Sequence, residues 1–242
     1  MKSILQNVNN FKLIRVMLSL ILISYSIKIL QLPVDFTYRM QQVNVWEYIQ
    51  FSIDTWHTLT ILFLLASCLF MLGIYVRFAG LFLFLFILVF INNIPYVKEV
   101  HFPYIQFMIL YYVLFYSDKL NIPQKFKILS IYYYSASYFY FGISKFFAVA
   151  WMNGQGMSAF FGLIQRTTGI NFSSQYDIIL VWGIPLIEVS AIFYLFFKKM
   201  RIPIHVVMIV MHMGIGLFTV LDYLSYAMIV FNYFIWHINL EQ

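Results

Sequence analysis

An all-α, polytopic integral membrane helical bundle is the fold this chain predicts, with about eight transmembrane helices (seven to nine) and both termini cytoplasmic. Three observations carry it. Of 242 residues, 63% are hydrophobic and only 10% charged, against roughly 25% charged in soluble domains, and the mean hydropathy is +0.84. The apolar residues gather in runs approaching the roughly 20 residues a bilayer span takes. The basic residues are spread unevenly between the connecting loops. A chain so poor in charge cannot coat itself in water, which excludes a soluble enzyme and a nucleic-acid binder. Room for seven or eight spans excludes a single-pass receptor. The net charge of +6 is then loop bias and implies no nucleic-acid partner.

The spans are read at about 12–31, 57–76, 78–95, 102–117, 128–149, 178–197, 203–221 and 223–239. All must be helical, because backbone polar groups in lipid have to be paired within their own segment. The first follows Lys2 and Lys12 but is no cleavable signal, since it is long enough to span and no small-residue cleavage site follows. The stretch 35–56 mixes Asp35, Arg39, Glu47 and Asp54 with Phe36, Tyr38, Val45, Trp46 and Tyr48, the pattern of an amphipathic segment on the membrane surface. Cys68, the single cysteine, lies in the second span and reads as a small buried hydrophobe, since alone it supports no intramolecular disulfide or thiolate cluster. The fourth and eighth spans are short, which leaves an interfacial or re-entrant path open to either. The loop near 150–177 is rich in Gly, Ser, Thr and Asn and folds over the outer face. No internal repeat or low-complexity linker divides the chain, so 1–242 is expected to be one domain.

Orientation follows from charge. With a cytoplasmic N-terminus and eight helices, the inner side holds Lys2, Lys12, Arg15, Arg77, Lys119, Lys125, Lys127, Lys198, Lys199 and Arg201. The outer side holds Arg39, Lys98 and Arg166. Reversing the protein would invert this bias.

Ionisable groups within spans cost several kcal/mol unless they are paired or face water, so each is a functional candidate. Five qualify: Lys28, Lys145, Glu188, His205 and His212. Lys28 ends the first span without a polar stripe and reads as an interfacial anchor. Helical spacing puts Tyr134, Tyr138, Phe141 and Lys145 on one face. Lys145 is either a lysine snorkelling to outer headgroups or an amine in a partly dry aromatic pocket, where its neutral form can serve as a base. Glu188 lies about halfway down the sixth span, too deep to snorkel. Pro185, three residues before it, strips the carbonyl of Val181 of its helical partner. Glu188 is thus either a structural carboxylate paired to another helix or a group that orients a base or ligand. His205 and His212 share a face seven residues apart. His205 reads as a hydrogen-bonded core histidine, whereas His212 lies at the depth where Lys145 and Glu188 could converge.

Tyrosines crowd the same region. Tyr111, Tyr112 and Tyr116 close the fourth span, and interfacial belts explain Tyr116 and Tyr132 to Tyr134. Tyr138 and Tyr140 are deeper and must find hydroxyl partners inside the bundle. Core packing explains this aromatic wall nearly as well as a flat ligand such as a quinone does. A haem through His212 and one of His57, His101 or His237 is not favoured, since His205 and His212 on one helix cannot both ligate one iron axially. The chain has no phosphate-binding loop, dinucleotide fingerprint, zinc-protease pair or Cys-X-X-Cys. Gly142-Ile143-Ser144 is a poor match to an intramembrane serine protease, because Lys145 follows where a small residue belongs.

Three segments in order carry a resemblance. The first is Tyr140-Phe141-Gly142-Ile143-Ser144-Lys145-Phe146 followed by Trp151-Met152-Asn153-Gly154. The second is Glu188 in Pro185-Leu186-Ile187-Glu188. The third is His212 with Leu217-Phe218 and then Leu224-Ser225-Tyr226-Ala227-Met228. Together with Arg15, Gly73 and Arg77 they resemble the HTTM family, the membrane region shared with vitamin K-dependent gamma-carboxylase, over nearly the whole chain. The resemblance implies Lys145 as a base acting on a quinol-type cofactor, a reduced naphthoquinone of the vitamin K or menaquinol type. It implies His212 and Glu188 as supporting groups, with Tyr134, Tyr138, Phe141, Trp151 and Gly154 around the cofactor. The size of the chain suits the small bacterial branch, which includes a membrane protein that matures a sporulation-delaying peptide toxin together with a partner. The expected setting is a bacterial plasma membrane, and the expected partners are lipid, a secreted peptide or toxin precursor, and a small accessory protein. Two alternatives stand beside this reading: a non-catalytic component for export of, or immunity to, a peptide toxin, and a quinone or haem redox subunit.

Overall fold

The computed structural model describes residues 2–31, 53–89, 101–116, 122–155, 158, 161–162, 165–166, 169, 175–218 and 222–239. Among the described residues every regular element is helical. In chain order they are α1 (Lys2–Leu30), α2 (Ile53–Leu72), α3 (Val76–Val89), α4 (Phe102–Phe115), α5 (Gln124–Phe147), the short α6 (Val149–Met152), α7 (Gln175–Ser190), the single turn α8 (Phe193–Phe196), a 3-10 turn at Lys198–Met200, α9 (Arg201–Phe218) and α10 (Asp222–Asn239). Each predicted span coincides with helix. The proposed surface segment, except its last few residues at the start of α2, lies outside the described residues, as does much of the loop at 150–177.

Three helical stretches are long and apolar enough to cross a membrane: Asn10–Leu30, Asp54–Leu72 and Lys198–Leu217. Val76–Val89, Phe102–Phe115 and Leu180–Phe196 are apolar but shorter. The helices expose large apolar side chains such as Leu65, Leu85, Leu129, Leu186 and Val210. In water such faces would be costly. Against hydrocarbon they cost nothing. Buried hydroxyls turn back on their own helices, with Ser19 Oγ donating to Arg15 O, Thr60 Oγ1 to Trp56 O and Ser67 Oγ to Phe63 O. Such bonds satisfy a polar group without a neighbour.

The helices gather into two compact units, 1–121 and 122–242, a division that no linker or repeat in the sequence announces. In the first unit α1 packs on α2, α2 on α3 and α3 on α4. Arg15 on α1, only 6% exposed, is turned inward. Its Nη1 donates to Tyr116 Oη at 2.9 Å, and its guanidinium lies against Gly73 in the α2–α3 turn. A Cβ on Gly73 would meet Arg15 Nη2 at 2.7 Å, and φ there is +83°, so both space and backbone require glycine. Arg77 donates through Nε and Nη2 to Tyr116 O.

In the second unit α5 packs on α7 and α10, and α9 packs on α10. Pro123 stands at the N-cap of α5, and the helix ends where Ala148 turns extended, with φ −81° and ψ 108°. Past Ser190, α7 gives way to a turn at Ala191–Ile192 before α8, so the sixth apolar run is a broken helix.

Candidate functional site

The site lies wholly within the second unit and is built where α5 crosses α7. At the crossing sits Gly142. A Cβ there would lie 2.8 Å from Pro185 O and from Val189 N, so only glycine lets the two backbones approach this closely. One turn further along α5 is Lys145, and one turn beyond Pro185 on α7 is Glu188. The close approach joins them. Nζ of Lys145 donates to Glu188 Oε1 at 2.6 Å and also to Oε2. The Glu188 side chain is 8% exposed and that of Lys145 24%, so the carboxylate is dry while the amine reaches partly outward.

Trp151 of α6 completes this cluster. Pro185 has no N–H to offer the carbonyl of Val181, four residues earlier, and Trp151 Nε1 donates to that carbonyl at 2.8 Å. This bond holds the indole against the amine: Lys145 Nζ lies 5.5 Å from the Trp151 ring centroid and 6.0 Å from that of Phe141, within cation–π range. Gly154 does not join the cluster. Its φ is +80° and nothing lies within 4 Å of where its Cβ would stand, the signature of a turn residue.

Two turns back along α5, a second polar cluster surrounds Asn232 of α10. Asn232 Nδ2 donates to Met228 O at 2.8 Å and to Tyr138 Oη at 2.7 Å. Tyr134 Oη donates to Asn232 Oδ1 at 2.7 Å. Tyr138 Oη lies 2.9 Å from His212 Nε2. Tyr194 Oη lies 2.8 Å from His205 Nε2, whose Nδ1 is 3.4 Å from Asn232 Oδ1. Tyr134, Tyr138, His205, His212 and Asn232 are all buried. His212 thus joins Tyr138 by hydrogen bond, while Glu188 is the direct partner of Lys145.

Several expectations change. Tyr134 is no belt residue, because its ring is fully buried and its hydroxyl is spent on Asn232. Tyr140 is 68% exposed, since two residues along a helix turn it away from the face that buries Tyr138. Asn232 was not singled out from sequence. The available signal was an amide, with four hydrogen-bonding sites to fill, inside the apolar run of the eighth span. Among the described residues no group of three or more His, Cys, Asp or Glu side chains could hold a metal ion.

The features observed together are helical packing, apolar outward faces, and a paired amine and carboxylate beside aromatic rings. No protein-family model, curated protein or solved structure matches this chain.

Proposed function

We propose that this chain is a multi-pass bacterial plasma-membrane protein of the HTTM type that modifies or matures a secreted peptide, using a quinol-type cofactor. The observation that most supports it is the Lys145–Glu188 pair at 2.6 Å, set against Phe141 and Trp151 in otherwise apolar helices. An amine and a carboxylate in such contact hold a proton that can pass between them. When Glu188 takes it, Lys145 becomes a neutral amine able to accept another proton from a bound hydroxyl. Phe141 and Trp151 shield the amine from water on the ring side. The charge bias supports about eight spans with both termini cytoplasmic, which puts the Lys145 end of α5 on the outer side, where a secreted peptide precursor and an accessory protein would meet it.

The residues fit a reduced naphthoquinone. Two aromatic rings flank the amine, and the buried Nδ1 of His212 has no hydrogen-bond partner among the described residues. Lys145 and Glu188 would hold its hydroxyl, with Phe141, Trp151 and Tyr138 beside the rings. Such a group, when bound, supplies an acidic phenol and a source of electrons. The closed geometry of the ion pair favours one second reading, a non-catalytic export or immunity component in which the pair clamps α5 to α7.

Mass spectrometry of secreted peptides from cells carrying wild type, Lys145→Ala or Lys145→Arg separates the two. Arginine can keep the contact with Glu188 but cannot serve as a neutral base. Loss of the mature peptide in both variants, at normal membrane levels, is expected, and the mass difference names the modification. Unchanged maturation in both would reduce Lys145 to a clamp.

A further inference from the structure

The hydrogen bonds around Asn232 have a direction, and it can be followed. A backbone carbonyl only accepts, so the atom of Asn232 facing Met228 O at 2.8 Å is the NH2 group. The same nitrogen lies 2.7 Å from Tyr138 Oη, which therefore accepts its second proton. The amide oxygen is correspondingly committed to the Tyr134 hydroxyl. With Tyr138 Oη accepting from Asn232, its own proton is directed at His212 Nε2, 2.9 Å away. A neutral imidazole that accepts at Nε2 carries its proton at Nδ1. That Nδ1 is buried and has no partner among the described residues.

We infer that Asn232 is a positioning residue which, through Tyr138, holds His212 in the neutral Nδ1–H form and so presets it as a hydrogen-bond donor and not as a base. Nε2 is occupied by the tyrosine hydroxyl, and Nδ1 already holds the proton. His212 can then donate to an accepting oxygen in the Lys145–Glu188 site but cannot collect a proton there. The assignment of that site rests on the function proposed above; the tautomer itself does not. His205 is held in the same sense, its Nε2 toward the Tyr194 hydroxyl and its Nδ1 toward the Asn232 oxygen.

The test is nitrogen NMR of the full chain in lipid vesicles at pH 7 with 15N-labelled histidine. Of the five histidines, His212 is assigned by the resonances lost in His212→Gln. The expected wild-type spectrum shows His212 protonated at Nδ1 and bare at Nε2. Asn232→Leu, close in volume but without a donor, and Tyr138→Phe should each convert that single form into a mixture of both tautomers. Wild-type His212 protonated at Nε2, or at both nitrogens, overturns the inference whether or not the variants fold. So does a folded Asn232→Leu with the spectrum unchanged. An Nδ1–H His212 in a protein that matures no peptide would sink the proposed function and leave this assignment standing.

Discussion

Lys145 and Glu188 differ in what each leaves behind when the other is removed. Truncating Lys145 strands a carboxylate that is 8% exposed, whereas truncating Glu188 leaves an amine that is 24% exposed and can swing toward water. A buried charge without its partner is the expensive case, at about 3–5 kcal/mol. Lys145→Ala is therefore expected to lower the unfolding temperature in detergent more than Glu188→Ala does. Replacing both by leucine removes the desolvation cost along with the attraction and is often neutral. Lys145→Leu/Glu188→Leu should thus recover most of the stability lost in Lys145→Ala while peptide maturation stays abolished. A double variant that regained both stability and maturation would show that the pair serves only to hold the helices.

At the scale of elements, the site depends on two contacts that bend the chain's rules locally. Gly142 lets α5 touch α7, and Gly142→Ala puts a methyl 2.8 Å from Pro185 O. Overpacking of this kind costs roughly 1–3 kcal/mol, and here it must also part Lys145 from Glu188, so maturation should fall more steeply than stability. The second contact is the Trp151 bond to the carbonyl that Pro185 leaves bare. Trp151→Phe is expected to cost about 1 kcal/mol, the usual worth of a neutral hydrogen bond plus the stranded acceptor. In a Pro185→Ala background, where residue 185 regains its N–H and bonds Val181 O itself, the same substitution should cost little. Thermal unfolding of the four proteins measures that coupling, and additive effects would contradict it. These contacts mark what could be read from sequence. Apolar runs located the helices, because lipid leaves the backbone no other way to pair, and Pro185 exposed the Val181 carbonyl. The helix break at Ala191–Ile192, the role of Asn232 and the seating of Arg15 over Gly73 were not legible. Each depends on which residue of another helix lies opposite, and periodicity within one helix carries no such information.

For the whole molecule, the decisive question is which way the helices run. Loop charge puts ten basic residues on one side and three on the other, and the same assignment sends the Lys145 end of α5 outward and its Lys125 end inward. The chain is suited to a direct check because Cys68 is its single cysteine. In a Cys68→Ala background, Asn153→Cys, just past α6, should react with a membrane-impermeant thiol reagent added to intact cells. Lys125→Cys at the start of α5 and Lys198→Cys before α9 should react only after the cells are permeabilised. The reverse pattern would place the Lys145–Glu188 pair at the cytoplasmic face, where no secreted peptide could meet it, and the proposed chemistry would lose its substrate. Reaction of all three positions in intact cells would mean that α5 does not cross at all, and the charge bias would then reflect a surface-bound protein.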